Sequence, residues 1–80
     1  MSRAQYDAGA GVSWRNAIKQ RREGRGLTQA KLAELAGMHA SNLNAIERHH
    51  REPNIGSMLR LARALDVEIG ALIEVTEGAQ

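Results

Sequence analysis

Apolar residues recur at helical spacing along most of the chain, and N-capping residues and glycines divide this pattern into short segments. The clearest segment follows Thr28, a good N-cap residue, and predicts a helix over Gln29–Ala36. Gly37 ends this helix, because glycine adopts a positive φ without a Cβ penalty. A second helix is predicted from about Ala40. The apolar positions of the two helices are Leu32, Ala33, Ala36, Leu43, Ala45 and Ile46.

Three further helices are predicted around this pair. Ser13 can cap a first helix over residues 14–23, and Asn54 can cap a fourth over residues 55–65. Glu68 begins a short fifth helix with apolar residues on one side. The sequence therefore predicts an all-α chain, built from five short helices around a mostly aliphatic core.

The chain of 80 residues is expected to form one domain with loose ends. Residues 1–12 show no period and are predicted to be a disordered arm, residues 13–75 form the helical domain, and residues 76–80 form a frayed tail. The chain has no cysteine, so neither a disulfide nor a thiolate metal site supports the fold. No apolar run is long enough for a membrane span or a signal peptide, and we expect a cytoplasmic protein.

Charge is unevenly distributed along the chain, although the net charge is only +2. Six of the 11 Lys and Arg residues lie in residues 1–25, whereas residues 66–80 hold four Asp and Glu residues and no Lys or Arg. A basic N-terminal part combined with an acidic C-terminal part suits a polyanionic partner. A solvated surface with chance fluctuations of sign would look the same, so charge alone leaves the partner open.

The two helices joined at Gly37 form the arrangement of a helix-turn-helix, whose second helix fits the major groove of DNA. Over roughly Trp14 to Glu74 the chain resembles the Cro/phage-repressor-like (Xre-type) helix-turn-helix family. The resemblance is carried, in order, by Ile18, Arg22, Gly26, Leu27, Thr28, Gln29, Leu32, Ala33, Ala36, Gly37, Leu43, Ile46, Glu47, Arg48, Pro53, Leu61, Ala62, Leu65, Asp66, Val67 and Leu72. It implies a compact five-helix lambda-repressor-like DNA-binding domain over residues 13–75. The family usually has glycine where this chain has His49, so a different turn is expected there.

Base reading is expected at the front of the second motif helix. Asn44 is the leading candidate, because an asparagine amide can bond adenine N6 and N7 together. Ser41 could donate to or accept from several bases, and Ala40 could meet a thymine methyl group. His39 either reads a base with them or caps the helix. Since none of these residues is Arg or Gln, DNA shape is expected to supply part of the selectivity. A polar helix face in water is the alternative for all four residues.

Phosphate contacts are expected at both ends of the motif, where they would position the reading helix. Thr28 and Gln29 open the first motif helix, whose free backbone N–H groups and positive end favour a phosphate. The family uses glutamine at the place of Gln29 for this contact, and a merely solvent-exposed glutamine is the alternative. The remaining candidates for phosphate contacts are Asn42, Arg48, Arg51 and Asn54.

Arg22 and Glu47 belong to a different category. Both match positions that pair across two helices in the family, so the resemblance implies a structural, partly buried ion pair. Such a pair gives little net stability, but removing one partner strands the other charge and costs about 3 kcal/mol. Arg22 is therefore assigned to structure rather than to a DNA contact.

The last predicted helix carries more apolar residues than its own docking requires. An exposed apolar stripe in a chain of this size suits a two-fold interface between copies. A dimer would present two reading helices about 34 Å apart, which is one turn of DNA. Closure of a monomer core by the same residues is the alternative. The residues assigned to the dimer interface are Ile69, Leu72, Ile73 and Val75.

Other chemistry finds little support in the sequence. His49 and His50 are adjacent rather than a helical turn apart, and no cysteine or carboxylate cluster accompanies them, so neither a metal nor a cofactor is expected. No Ser-His-Asp or nucleotide-loop arrangement is present, which argues against an enzyme. Trp14 is assigned to packing.

The sequence thus predicts a sequence-specific transcriptional regulator that binds double-stranded DNA. It would act as a repressor or controller, as a homodimer on an inverted-repeat operator, with a toxin or a polymerase as a further candidate partner. The alternative is a protein-interaction module, such as an antitoxin or adaptor, that uses the same fold. The short side chains on the second motif helix and the histidine at position 49 favour that alternative.

Overall fold

Helices and a small sheet alternate along the part of the chain that the computed structural model describes, residues 12–77. These residues form four α-helices, one 3-10 helix and a two-stranded antiparallel sheet. The elements in chain order are β1 (Val12–Asn16), α1 (Ile18–Gly24), α2 (Gln29–Ala36), α3 (Ala40–Glu47), α4 (Ile55–Leu65), the 3-10 helix (Ile69–Leu72) and β2 (Ile73–Glu77). None of these helices is long and apolar enough to cross a membrane.

The all-α, five-helix prediction is wrong at the two ends of the domain. The residues assigned to the start of the first helix form β1, and the predicted fifth helix is a single 3-10 turn that runs into β2. The strands pair antiparallel, with Trp14 opposite Val75 and Asn16 opposite Ile73. Residues 73–76 alternate branched apolar and polar side chains with a period of two, which favours a strand over a helix.

The predicted arm and tail fall partly inside this sheet. Val12 begins β1, and the rest of the predicted arm lies outside the described residues. Thr76 and Glu77 belong to β2, and residues 78–80 of the predicted tail also lie outside the described residues.

The core is aliphatic and is made by all four α-helices and the 3-10 helix. Its fully buried large side chains are Ile18, Leu32, Leu43, Ile46, Leu61, Leu65 and Leu72. Small residues on α2, Ala33 and Ala36, are also buried and allow α2 to pack closely on its neighbours α3 and α4. Because Leu72 is wholly inside this core, its assignment to a dimer interface is wrong.

All four α-helices of the described residues end in the same way. A residue with a positive φ follows each helix, either directly or after one further residue. The N–H of the next residue then donates to the carbonyl five residues before it. The left-handed residues are Gly26, Gly37, His49 and Asp66. His49 therefore keeps the turn geometry that glycine favours, with φ 63°, contrary to the expectation of a different turn.

The H49G substitution is expected to raise the free energy of unfolding by about 1 kcal/mol, because a side chain with a Cβ is strained in the left-handed region. It also removes the hydrogen bond between Arg15 Nη2 and His49 Nε2, at 3.3 Å, which is exposed and contributes little. Urea denaturation measures the effect. H50G is the matched control, since His50 does not have a positive φ, and it should not stabilise the chain. Equal effects of the two substitutions would contradict the strain at His49.

Candidate nucleic-acid interface

The helix-turn-helix consists of α2, a short turn at Gly37 and α3. Thr28 begins it, since its Oγ1 accepts a hydrogen bond from the Lys31 N–H at 3.0 Å. Gly37 takes φ 70°, and the Met38 N–H donates to the Ala33 carbonyl at 2.9 Å, which closes the first helix. His39 is the N-cap of α3 by its backbone, but its side chain makes no capping hydrogen bond. The His39 ring therefore remains exposed beside the start of α3.

The front of α3 is exposed while its other side is held in the core. His39, Ala40 and Ser41 are exposed, and Asn44 is half-buried. On the inward side lie Leu43, Ile46 and Glu47. A short helix held along one side and free at its N-terminal end has the shape that enters a major groove.

The carboxylate of Glu47 is buried and paired with Arg22 of α1. Two hydrogen bonds join the side chains, Arg22 Nε to Glu47 Oε2 at 2.7 Å and Arg22 Nη2 to Glu47 Oε1 at 3.0 Å. The side chains are only 11% and 1% exposed, as the resemblance implied for a structural pair. The hydrogen bond to Glu47 is the main cause that raises the pKa of Arg22 above its ordinary value. Arg22 Nη1 also donates to the Leu27 carbonyl at 2.7 Å, which ties down the turn before α2.

Gln29 links this ion pair to the front of α3. Its Nε2 donates to Glu47 Oε1 at 2.9 Å and to Asn44 Oδ1 at 3.2 Å. An amide NH₂ group has two hydrogens, so both side-chain donors of Gln29 are used within the chain. The phosphate contact predicted for Gln29 would therefore have to use its backbone N–H group rather than its side-chain amide. Arg22, Gln29, Asn44 and Glu47 are called the Glu47 network below.

Asn16 of β1 holds the far end of α3, a role that sequence reasoning missed. The residue is buried, and its Nδ2 donates to the Ile46 carbonyl at 3.1 Å. Its Oδ1 accepts from the Ile18 N–H at 3.2 Å, at the start of α1. One side chain therefore joins the sheet, α1 and α3. A lone asparagine in a sequence gives no signal for such a role, because its partners are backbone groups brought together by the fold.

The remaining residues predicted to contact phosphates differ in their surroundings. Arg48 is the C-cap of α3, and both it and Arg51 are exposed. Asn54 Oδ1 accepts from the Ser57 N–H at 2.8 Å and so caps α4. Asn42 is half-buried, and among the described residues its Oδ1 is the buried side-chain polar atom that has no hydrogen-bond partner.

Several other arginines bind carbonyl groups at the ends of helical segments. Arg25 Nη1 donates to the Leu65 carbonyl at 2.9 Å, and Arg60 Nε donates to the Ala36 carbonyl at 3.1 Å. Arg21 Nε reaches the Ala71 carbonyl of the 3-10 helix at 3.1 Å. A cation at the carbonyl end of a helix satisfies unpaired acceptors and the negative end of its dipole. These positive charges stabilise the fold. Arg48 and Arg51, in contrast, are exposed next to α3.

The structure and the sequence agree on a helix-turn-helix protein. Residues 18–72 match the model of the helix-turn-helix family. The chain belongs to this family, which confirms the resemblance drawn from its sequence.

Two curated relatives and one solved structure are similar to the chain. An uncharacterized HTH-type transcriptional regulator, y4dL, of Sinorhizobium fredii (strain NBRC 101917 / NGR234) is 38% identical over 52 residues, which is 65% of this chain and 26% of that protein. The control protein C.SmaI of Serratia marcescens is 32% identical over 47 residues, 59% of this chain and 56% of that protein. The match thus spans about a quarter of the first relative and just over half of the second.

The solved structure is that of the restriction-modification controller protein C.AhdI from Aeromonas hydrophila. It superimposes with a TM-score of 0.67 at 35% sequence identity, and the match covers 68% of this chain and 82% of that chain. This similarity is of fold as well as of sequence.

Replacing the buried carboxylate, as in E47A, is expected to lower the free energy of unfolding by about 3 kcal/mol, because Arg22 and Gln29 lose their shared acceptor. Urea denaturation measures the loss. E34A is the matched control, since Glu34 is exposed and its pair with Lys31, at 3.5 Å, lies in solvent, so little change is expected. A loss for E47A no larger than that for E34A would contradict the structural role of Glu47.

Proposed function

We propose that the chain is a sequence-specific DNA-binding transcriptional regulator that places α3 in the major groove. The observation that carries this proposal is the fixed presentation of α3. Its N-terminal residues are exposed, while Glu47 and Asn16 anchor its C-terminal end to α1, α2 and the sheet. A helix whose C-terminal end is fixed in this way can place short side chains at base edges in a reproducible geometry.

The basic side chains support the same placement. Arg48 is the C-cap of α3, and Arg51 lines a shallow depression together with His39 and Ser41 at the front of that helix. The start of α2 lies beside Asn44 and Glu47, to which Gln29 is hydrogen-bonded. Phosphate contacts by Arg48, Arg51 and the first backbone N–H groups of α2 would fix the register of α3 on the duplex. His39, Ala40, Ser41 and Asn44 would then read the bases.

The names of the relatives suggest the kind of regulation. One is called a transcriptional regulator, one a control protein and one a restriction-modification controller. By similarity to them, we infer that this chain is a repressor or controller rather than an enzyme. The observed side chains fit this inference, since the exposed face of α3 carries polar groups suited to recognition.

We also infer that the regulator is a homodimer through one face of the two-stranded sheet. Trp14 and Val75 are paired across the strands and are 40% and 60% exposed, and Ile73, on the same face, is 37% exposed. Exposed apolar residues grouped on one face fit an isologous contact with a second copy. Ile69 is half-buried against the core and would lie at the margin.

Selection of random duplex DNA by the purified protein, followed by sequencing, tests the function. The expected result is an inverted repeat with half-sites about one helical turn apart. A single short site would keep DNA binding and contradict the dimer. No enriched sequence would contradict the DNA-binding function and favour a protein-interaction module with this fold.

A charge in the proposed interface, as in V75K, is expected to shift the protein from dimer to monomer in sedimentation equilibrium. Burying the unpaired lysine would cost more free energy than the apolar contact contributes. L35K is the matched control, because Leu35 on α2 is exposed to a similar degree, 51%, but lies outside the sheet. Dissociation by L35K, with no effect of V75K, would place the interface elsewhere.

A further inference from the structure

The two charged groups of the Glu47 network determine which of its side-chain atoms donate hydrogen bonds and which accept them. The guanidinium of Arg22 can only donate, and the ionised carboxylate of Glu47 can only accept. Gln29 must therefore turn its NH₂ group toward Glu47, and the observed distance of 2.9 Å from Nε2 to Oε1 agrees. The second hydrogen of that NH₂ group reaches Asn44 Oδ1 at 3.2 Å.

The same assignment of donors and acceptors determines which end of the Asn44 amide points away from the network. Because Oδ1 accepts from Gln29, the Nδ2 group points away from the network. Nδ2 has no hydrogen-bond partner among the described residues, and it is not one of their buried unpartnered atoms. Asn44 thus carries an NH₂ group whose two hydrogens have no acceptor among the described residues.

We propose that Gln29 is a positioning residue that makes Asn44 a hydrogen-bond donor toward the major groove, so that Asn44 selects guanine over adenine. Guanine presents two acceptors there, N7 and O6, whereas adenine presents the acceptor N7 beside the donor N6. The inference rests on the proposed function, since it concerns what α3 reads once it lies in the groove.

Binding of adenine through both ends of the amide, as the sequence suggested, conflicts with this geometry. Asn44 would have to turn Oδ1 toward the base, which removes the acceptor from the half-buried Gln29 N–H. An N–H group left without an acceptor in such a place is unfavourable. The ion pair between Arg22 and Glu47, which lies two hydrogen bonds away, therefore bears on base preference.

Sequencing of random duplexes selected by four proteins tests the proposal: the unchanged chain, N44A, N44D and Q29M. The base pair whose preference disappears in N44A is the one that Asn44 reads, and the unchanged chain should enrich G·C there. N44D still offers an oxygen to Gln29 but has no outward donor, so the preference for guanine should be lost. Q29M removes both donors at nearly constant length and frees Asn44 to turn. The ratio of G·C to A·T at that position should then fall by about fivefold or more.

R51A is the control for a general loss of affinity, because it should weaken binding to all sequences alike and leave the ratio unchanged. Thermal unfolding followed by circular dichroism checks that Q29M is folded at the selection temperature. Enrichment of an A·T pair by the unchanged chain would overturn the proposal while leaving the proposed function intact. A ratio unaltered in folded Q29M would overturn the positioning role of Gln29. No enrichment by the unchanged chain would overturn the proposed function and this inference with it.

Discussion

A negative charge buried at the end of α3 is the constraint on which the domain depends. Removing a carboxylate from water is costly unless a cation and further donors surround it. Glu47 obtains both from other helices, the cation from α1 and the amide from α2. The position of α3 is therefore tied to the helices that precede it, and a packing requirement of the interior sets the geometry of an outer surface.

Asn16 adds a second attachment at the same end of α3. The Glu47 network joins side chains to one another, whereas the side chain of Asn16 donates to a backbone carbonyl, that of Ile46. Among residues 12–77 the front of α3 has no comparable attachment, since the side chain of His39 makes no capping hydrogen bond. The helix is thus fixed at its back and free at its front, which is what insertion into a groove requires.

Local signals were sufficient to predict the middle of the fold. The bounds of α2 and α4 were predicted to the residue, because Thr28 and Asn54 are caps that act within one helical turn and glycine marks the end of α2. The sheet could not be predicted in this way. Trp14 and Val75 lie far apart in the sequence, and a two-stranded sheet acquires stability from the body it packs on rather than from its own residues.

The candidate interface was predictable in its outline but not in its detail. The exposed front of α3 followed from helical spacing, and the pair of Arg22 and Glu47 followed from the family resemblance. The bonding of Gln29 could not be foreseen, because it depends on which atoms the fold brings within 3 Å of its amide. The sequence also gives no sign of which arginines bind carbonyl groups. Arg25 donates to the Leu65 carbonyl, whereas Arg48 makes no side-chain hydrogen bond among the described residues.

The antiparallel pairing of β1 with β2 also has a mechanical meaning. Val12 and Glu77 are opposite one another, so the chain enters and leaves the domain at neighbouring points. Tension applied across these two points would separate the strands one pair at a time, from Val12 toward Asn16, rather than shear them all together. The last pair to open contains Asn16, whose side chain holds the carbonyl of Ile46. Force applied to the ends of the domain would therefore act on α3 only after the whole sheet had opened. In this way the sheet protects the C-terminal end of that helix from tension.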